Sequence, residues 1–122
     1  SSSFLSTFWS EERGHNRVIN IHPSLLPDYP GLGAYEKAYQ DGVSFSGVTV
    51  HFVDAGMDTG PIILQKKFPL YASDTFEDFK HRGLELEHKI YPEALSYIFT
   101  DSYQRPVGDS PFVLLESKEN EI

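Results

Sequence analysis

The 122-residue chain contains no cysteine, which removes disulfide frameworks, thiolate metal sites and cysteine nucleophiles from consideration. No apolar run approaches the roughly 20 residues of a membrane helix. The opening Ser1-Ser2-Ser3-Phe4-Leu5 lacks the basic start and long apolar stretch of a secretion signal. Both absences fit a cytoplasmic protein with no membrane partner. Basic residues are scarce, 10 against 18 acidic ones for a formal charge of −8, and Lys66-Lys67 is the one basic cluster. A nucleic-acid binder needs a basic footprint to neutralise phosphates, so a nucleic-acid partner is not expected, and the negative charge reads as a solubility feature. Gly31 and Gly33 belong to no phosphate-loop fingerprint. The five histidines lack the paired spacing of a zinc site, and no His-Glu-x-x-His occurs, so no metal is expected. Position 1 is Ser rather than Met, from which a fragment or a processed product is expected.

What is present is enough for one compact domain. Hydrophobic residues make up 39% of the chain, with nine Phe and seven Tyr, too many for a disordered chain. Phe4 to Trp9 reads as the end of a helix, and Glu11 to Asn16 as a loop. Arg17 to Ile21 reads as a short buried strand. Pro23, Pro27 and Pro30 forbid both helix and ladder, so 22–33 is an irregular but stiff loop. Ala34 to Gln40 reads as a helix ended by Asp41-Gly42. Gly47 to Val53 alternates as a strand, and Ile62 to Phe68 is the next. The link between these two is too short for a parallel crossover, which predicts antiparallel neighbours. Thr75 with Asp78 fits a capping box. Phe76, Phe79, Leu86, Ile90, Ala94 and Ile98 then mark the buried stripe of a long helix, with a kink or break expected near Tyr91 because Pro92 cannot donate to the carbonyl of His88. Beyond Asp101, only Phe112 to Leu115 looks strand-like, followed by an acidic tail. The order predicts an α/β fold with a mixed sheet and a long C-terminal helix. Residues 1–100 form the main domain and 101–122 an extension.

Two constellations could carry chemistry. Asn20 and His22 flank Ile21 at the end of a strand, so they point to the same side, where α/β sheets usually hold ligands. An amide donor beside an imidazole suits acyl transfer, because both can donate to an oxyanion and the imidazolium can pass on a proton. A turn-capping Asn and an exposed loop His account for the same residues. The second is the turn Asp54-Ala55-Gly56-Met57-Asp58, where Asp and Gly are ordinary turn formers. A carboxylate brought to His22 would favour the charged imidazolium. His51 reads as an interior, hydrogen-bonded histidine, and Glu87-His88 as a solvated helix face.

Ile19-Asn20-Ile21-His22-Pro23-Ser24-Leu25-Leu26-Pro27 resembles a signature of the folate-dependent formyltransferases. Val50 to Ile63, with Asp54-Ala55-Gly56-Met57-Asp58-Thr59-Gly60, resembles the second signature of that family at the matching distance. Glu87-His88-Lys89-Ile90-Tyr91-Pro92-Glu93-Ala94-Leu95 is similar to the C-terminal helix of its glycinamide ribonucleotide (GAR) branch. The resemblance implies the C-terminal part of a Rossmann-like formyltransferase domain. The implied activity is formyl transfer from the co-substrate 10-formyltetrahydrofolate to the amine of GAR, in purine biosynthesis, without a metal. By the same resemblance, Asn20 would hold the formyl oxygen, His22 would donate the proton, and Asp58 would assist it. Asp54, Ala55, Gly56, Met57 and Asp58 would hold the pterin, and Leu84 to Glu87 the ribonucleotide, with Glu87 on the ribose hydroxyls. Gly33 stands where many relatives have His. The Arg-Gly-Ala-rich segment of the methionyl-tRNA enzymes is lacking, and Pro23-Ser24 differs from the deformylases, which are the alternative. The family's N-terminal half, with its phosphate-holding loop, is not in the chain, so weak GAR binding by these 122 residues alone is expected, as is the further alternative of a non-catalytic fragment.

Overall fold

The computed structural model describes residues 6–10, 15–53 and 60–116. Its largest element is a four-stranded sheet of β1 (Ser6–Ser10), β2 (His15–His22), β3 (Phe45–Phe52) and β4 (Ile62–Pro69), hydrogen-bonded in that order. Every neighbour pair is antiparallel, including the predicted β3–β4 pair. A parallel pairing occurs at the bridge between Ile62 and Phe112. Two helices accompany the sheet, α1 (Ala34–Asp41) and α2 (Phe76–Phe99). A two-stranded ribbon, β5 (Tyr103–Gln104) with β6 (Leu114–Leu115), follows. The fold is α/β with a long C-terminal helix, as expected.

Alternation explains the sheet. Ile19, Ile21, Val48, Val50 and Phe52 are all buried and join one cluster with Phe68, Phe79, Ile90, Ala94 and Ile98. α2 presents the last four of these on one face, at spacings of 11, 4 and 4 residues, with Gly83 and Glu87 buried between the first two, the stripe that a helix needs to cover a sheet. Each such side chain contributes roughly 1.5–3 kcal/mol on burial. Phe68 and Phe79 meet with ring centroids 5.1 Å apart. The capping box is formed: Thr75 accepts from the Asp78 N–H, and Asp78 accepts from the Thr75 N–H. Arg82, one turn on, donates to both carboxylate oxygens of Asp74 and to the carbonyl of Pro69. This tethers the start of α2 to the end of β4.

Three expectations are corrected. Ser6–Ser10 is a strand, not a helix end; it forms five rungs with β2, and pairing decides the state of a segment too short to show periodicity. Phe4 and Leu5 lie outside the described residues. His15 and Asn16 belong to β2 rather than to a loop, while Glu11 to Gly14 are outside the described residues. α2 runs unbroken through Pro92. Ile90, Tyr91, Ala94 and Ile98 are buried on both sides of the proline, so packing holds the two halves together where one lost hydrogen bond would separate them.

The segment after α2 closes the other end of the sheet. Ile62 donates to the carbonyl of Pro111, and Val113 to that of Ile62, extending the edge of β4. Tyr103 is 1% exposed, its ring 5.5 Å from Phe52.

Candidate functional site

Asn20 and His22 leave β2 on the side opposite Ile19 and Ile21, as alternation requires. Their partners across the β2–β3 pair are His51 for Asn20 and Thr49 for His22, so these four side chains share one face. That face is buried too: His22, Thr49 and His51 are each at most 4% exposed. The covering element is the proline loop. Leu25 lies over Gly47, where any Cβ would overlap both the Leu25 side chain and the Lys66 carbonyl; glycine is what lets the loop come this close.

The loop is held by a polar junction at Thr49. Its hydroxyl donates to the carbonyl of Ser24 at 2.6 Å and accepts from the N–H of Leu26 at 3.2 Å. The Gln65 amide on β4 donates to the same hydroxyl and to the Leu26 carbonyl, both at 3.0 Å. The loop's backbone, which has no ladder, thereby finds the partners that buried amides require. The loop contains a cis peptide at Leu26–Pro27.

One residue that no sequence pattern marks, Tyr29, orients His22. The Nε2 atom of His22 lies 2.6 Å from the carbonyl of Tyr29. A carbonyl can only accept, so Nε2 carries the hydrogen and the ring is oriented by it. Tyr29 itself is left-handed, with φ 49°, a conformation that costs a non-glycine residue about 1–2 kcal/mol. Its hydroxyl donates to Asp41 at the end of α1, and this bond, with a smaller contribution from desolvation, raises the phenol above its ordinary range. Asn20 is half-buried, and its Oδ1 has no hydrogen-bond partner among the described residues. The two ends of an amide exchange by rotation, so this position can present either a donor or an acceptor.

His51 is an interior histidine, as expected, its Nδ1 2.8 Å from the carbonyl of Phe52. Asp54, Ala55, Gly56, Met57 and Asp58 lie outside the described residues.

Glu87 departs from expectation. It is 2% exposed, not solvated, while His88 beside it is exposed. Tyr35 on α1 donates to Glu87 Oε2 at 2.6 Å. Burial first, and then this bond, push the Tyr35 phenol well above its ordinary range. The Tyr35 ring stands edge-on to Phe79, centroids 6.1 Å apart. It fits only because α2 has Gly83 one turn before Glu87: a Cβ there would overlap the phenol ring. A glycine inside a helix costs about 1 kcal/mol relative to alanine, which this close approach explains. A cleft of about 460 Å³ opens beside the pair, lined by Pro23, Leu32, Gly33, Tyr35, Lys80 and Leu84 among others. It places Leu84 and Gly33 together; Asn20, His22 and Glu87 are not among the residues lining it.

The α/β sheet thus holds an amide and an imidazole on one face at a strand end, under a pinned loop. Residues 8–95 match the formyl transferase family, and the chain belongs to that family. The phosphoribosylglycinamide formyltransferase of Bacillus subtilis (strain 168) is 50% identical over 82 residues, which are 67% of this chain and 42% of that protein. The solved phosphoribosylglycinamide formyltransferase from Anaplasma phagocytophilum superposes with a TM-score of 0.75 at 40% identity, covering 83% of this chain and 48% of that one. A formyltetrahydrofolate deformylase from Pseudomonas syringae pv. tomato superposes with a TM-score of 0.73 at 30% identity, covering 81% and 32%. The chain therefore spans less than half the length of the relatives it matches.

Proposed function

We propose that this chain carries the catalytic pair for transfer of a formyl group from 10-formyltetrahydrofolate to the amine of glycinamide ribonucleotide, a step of purine biosynthesis. The observation that carries the proposal is the shared placement of Asn20 and His22 on one buried face at the end of β2. The substrate amine attacks the formyl carbon, a new C–N bond forms, and the carbonyl oxygen becomes an oxyanion. Asn20, turned to present its amide hydrogens, and His22, protonated at Nδ1 as well as at the Nε2 held by the Tyr29 carbonyl, donate to that oxygen. The Oδ1 end of Asn20, which has no partner among the described residues, supports this role, since a buried amide atom calls for one. The intermediate then loses the amine proton, the bond from carbon to the folate N10 breaks, and N10 takes up a proton. Asp58 assists the proton transfer, residues 54–58 hold the pterin, and Leu84 and Glu87 serve the ribonucleotide. These assignments follow the family resemblance. No metal takes part, the setting is the cytoplasm, and neither nucleic acid nor membrane is a partner.

The second reading is hydrolysis of the formyl-folate with water as acceptor, favoured by the superposition on a deformylase. The higher identity to phosphoribosylglycinamide formyltransferases supports an amine acceptor instead. Formyl-folate consumption by the full gene product, followed with and without GAR, separates the two. Turnover that requires GAR and yields formylated ribonucleotide is expected; equal turnover without GAR means the acceptor is water.

A further inference from the structure

The family resemblance puts Glu87 on the ribose hydroxyls; Glu87 is 2% exposed and Tyr35 6%, but of the two it is Tyr35 that lines the neighbouring cleft, and Tyr35 donates to the Glu87 carboxylate at 2.6 Å. We propose that Tyr35 is a specificity-determining residue of the ribonucleotide site, through which a substrate hydroxyl in the cleft is linked to Glu87. The proposal rests on the function proposed above.

The chemistry follows from what a phenol can do. Its single hydrogen is committed to Glu87, so toward a ligand the Tyr35 oxygen acts as an acceptor. An acceptor backed by a buried carboxylate selects a ligand group with a hydrogen to give, such as a sugar hydroxyl. It rejects a ligand that presents only a C–H at that point, because a buried polar group would then stay unmatched. The four residues of the arrangement come from two elements, Tyr35 from α1 and the other three from α2, and fit one another. Gly83 leaves the space for the ring, Phe79 supports the ring edge-on, and Glu87, 52 residues from Tyr35 in sequence, receives its hydrogen. The raised phenol keeps its proton throughout the neutral range, so the direction of the bond is constant.

The test is steady-state kinetics of the full gene product and its Tyr35→Phe variant, each with GAR and with its 2′-deoxy and 3′-deoxy analogues. The variant keeps the ring and removes only the oxygen. The expected result is a KM for GAR raised about tenfold, kcat and the KM for formyl-folate within about threefold of wild type, and the ribose-over-deoxyribose preference reduced for at least one analogue, in line with the tenfold or larger discrimination that a matched hydroxyl gives. A KM for GAR and an analogue preference both unchanged, with or without a lowered Tm, would overturn it and leave Tyr35 a packing residue. Wild-type enzyme that turns over no GAR would instead remove the function on which the proposal rests, and the two failures are told apart by the wild-type arm alone.

Discussion

On the α2 side of the sheet, Ile19, Ile21, Val48, Val50 and Phe52 are buried against Phe79, Ile90, Ala94 and Ile98. On the other side, at the same depth and in the same strands, lie His22, Thr49 and His51, with Asn20 half-buried beside them. The first face contributes stability through apolar area alone, which is non-directional and tolerant of small shifts. Burial of the second calls for partners to its polar groups, and Thr49, Gln65 and the Tyr29 carbonyl supply most of them, Asn20 Oδ1 having none among the described residues. Placing polar side chains on a buried face thus requires a pinned loop, and the prolines and Gly47 are the means. One face is packed by apolar area, and the other is held by directed hydrogen bonds.

The contrast can be broken at several points. Asn20→Ala should lower kcat/KM about 10²–10³-fold, the usual cost of losing one oxyanion donor. The same variant should leave Tm unchanged or higher, because it removes a buried oxygen that has no partner among the described residues. A clear loss of Tm would show Asn20 to be structural. Ile90→Ala, on the apolar face, should do the reverse: about 2–5 kcal/mol off the unfolding free energy in urea, with KM for both substrates unchanged at temperatures where the protein is folded. Thr49→Val should affect both properties. Without the hydroxyl, Leu26 N–H and the Ser24 carbonyl lose their partner, a cost of about 1–3 kcal/mol, and the loop beneath His22 loosens, so kcat falls as well. A stable, fully active Thr49→Val protein would mean that the junction does not hold the loop.

The smallest effect concerns pH and lies away from both faces. The Arg82 guanidinium, followed by the Tyr71 N–H, holds the Asp74 carboxyl below its ordinary range. A depressed carboxylate stabilises the fold fully above its unfolded value, about 3.9, and this contribution is lost as pH falls through the lower folded value. Asp74→Asn should therefore lower Tm at pH 7, and the gap to wild type should close on acidification below about pH 4. A gap that widens on acidification would contradict the assignment.

How much of this the sequence shows depends on how local the cause is. The β3 alternation, the Thr75–Asp78 capping box and the α2 stripe rest on neighbours within a few residues, and each appears where expected. Asn20 and His22 share a face because strand geometry alone demands it. Glu87 was legible only as a helix-surface residue, since its partner Tyr35 sits in another element. Tyr29 carries no local mark at all: its left-handed backbone and its carbonyl matter only because His22 lies against them. Ser6–Ser10 as a helix end and a break of α2 at Pro92 are overturned for one reason, in that sheet pairing and helix packing outweigh weak or contrary local preferences.

His22→Ala in the full gene product tests most directly whether the polar face performs the formyl transfer. Formyl transfer to GAR should fall about 10²–10⁴-fold, the range for loss of a general acid–base group, while the variant still unfolds cooperatively. A folded His22→Ala protein that transfers formyl within a fewfold of the wild-type rate would place the chemistry elsewhere in the molecule.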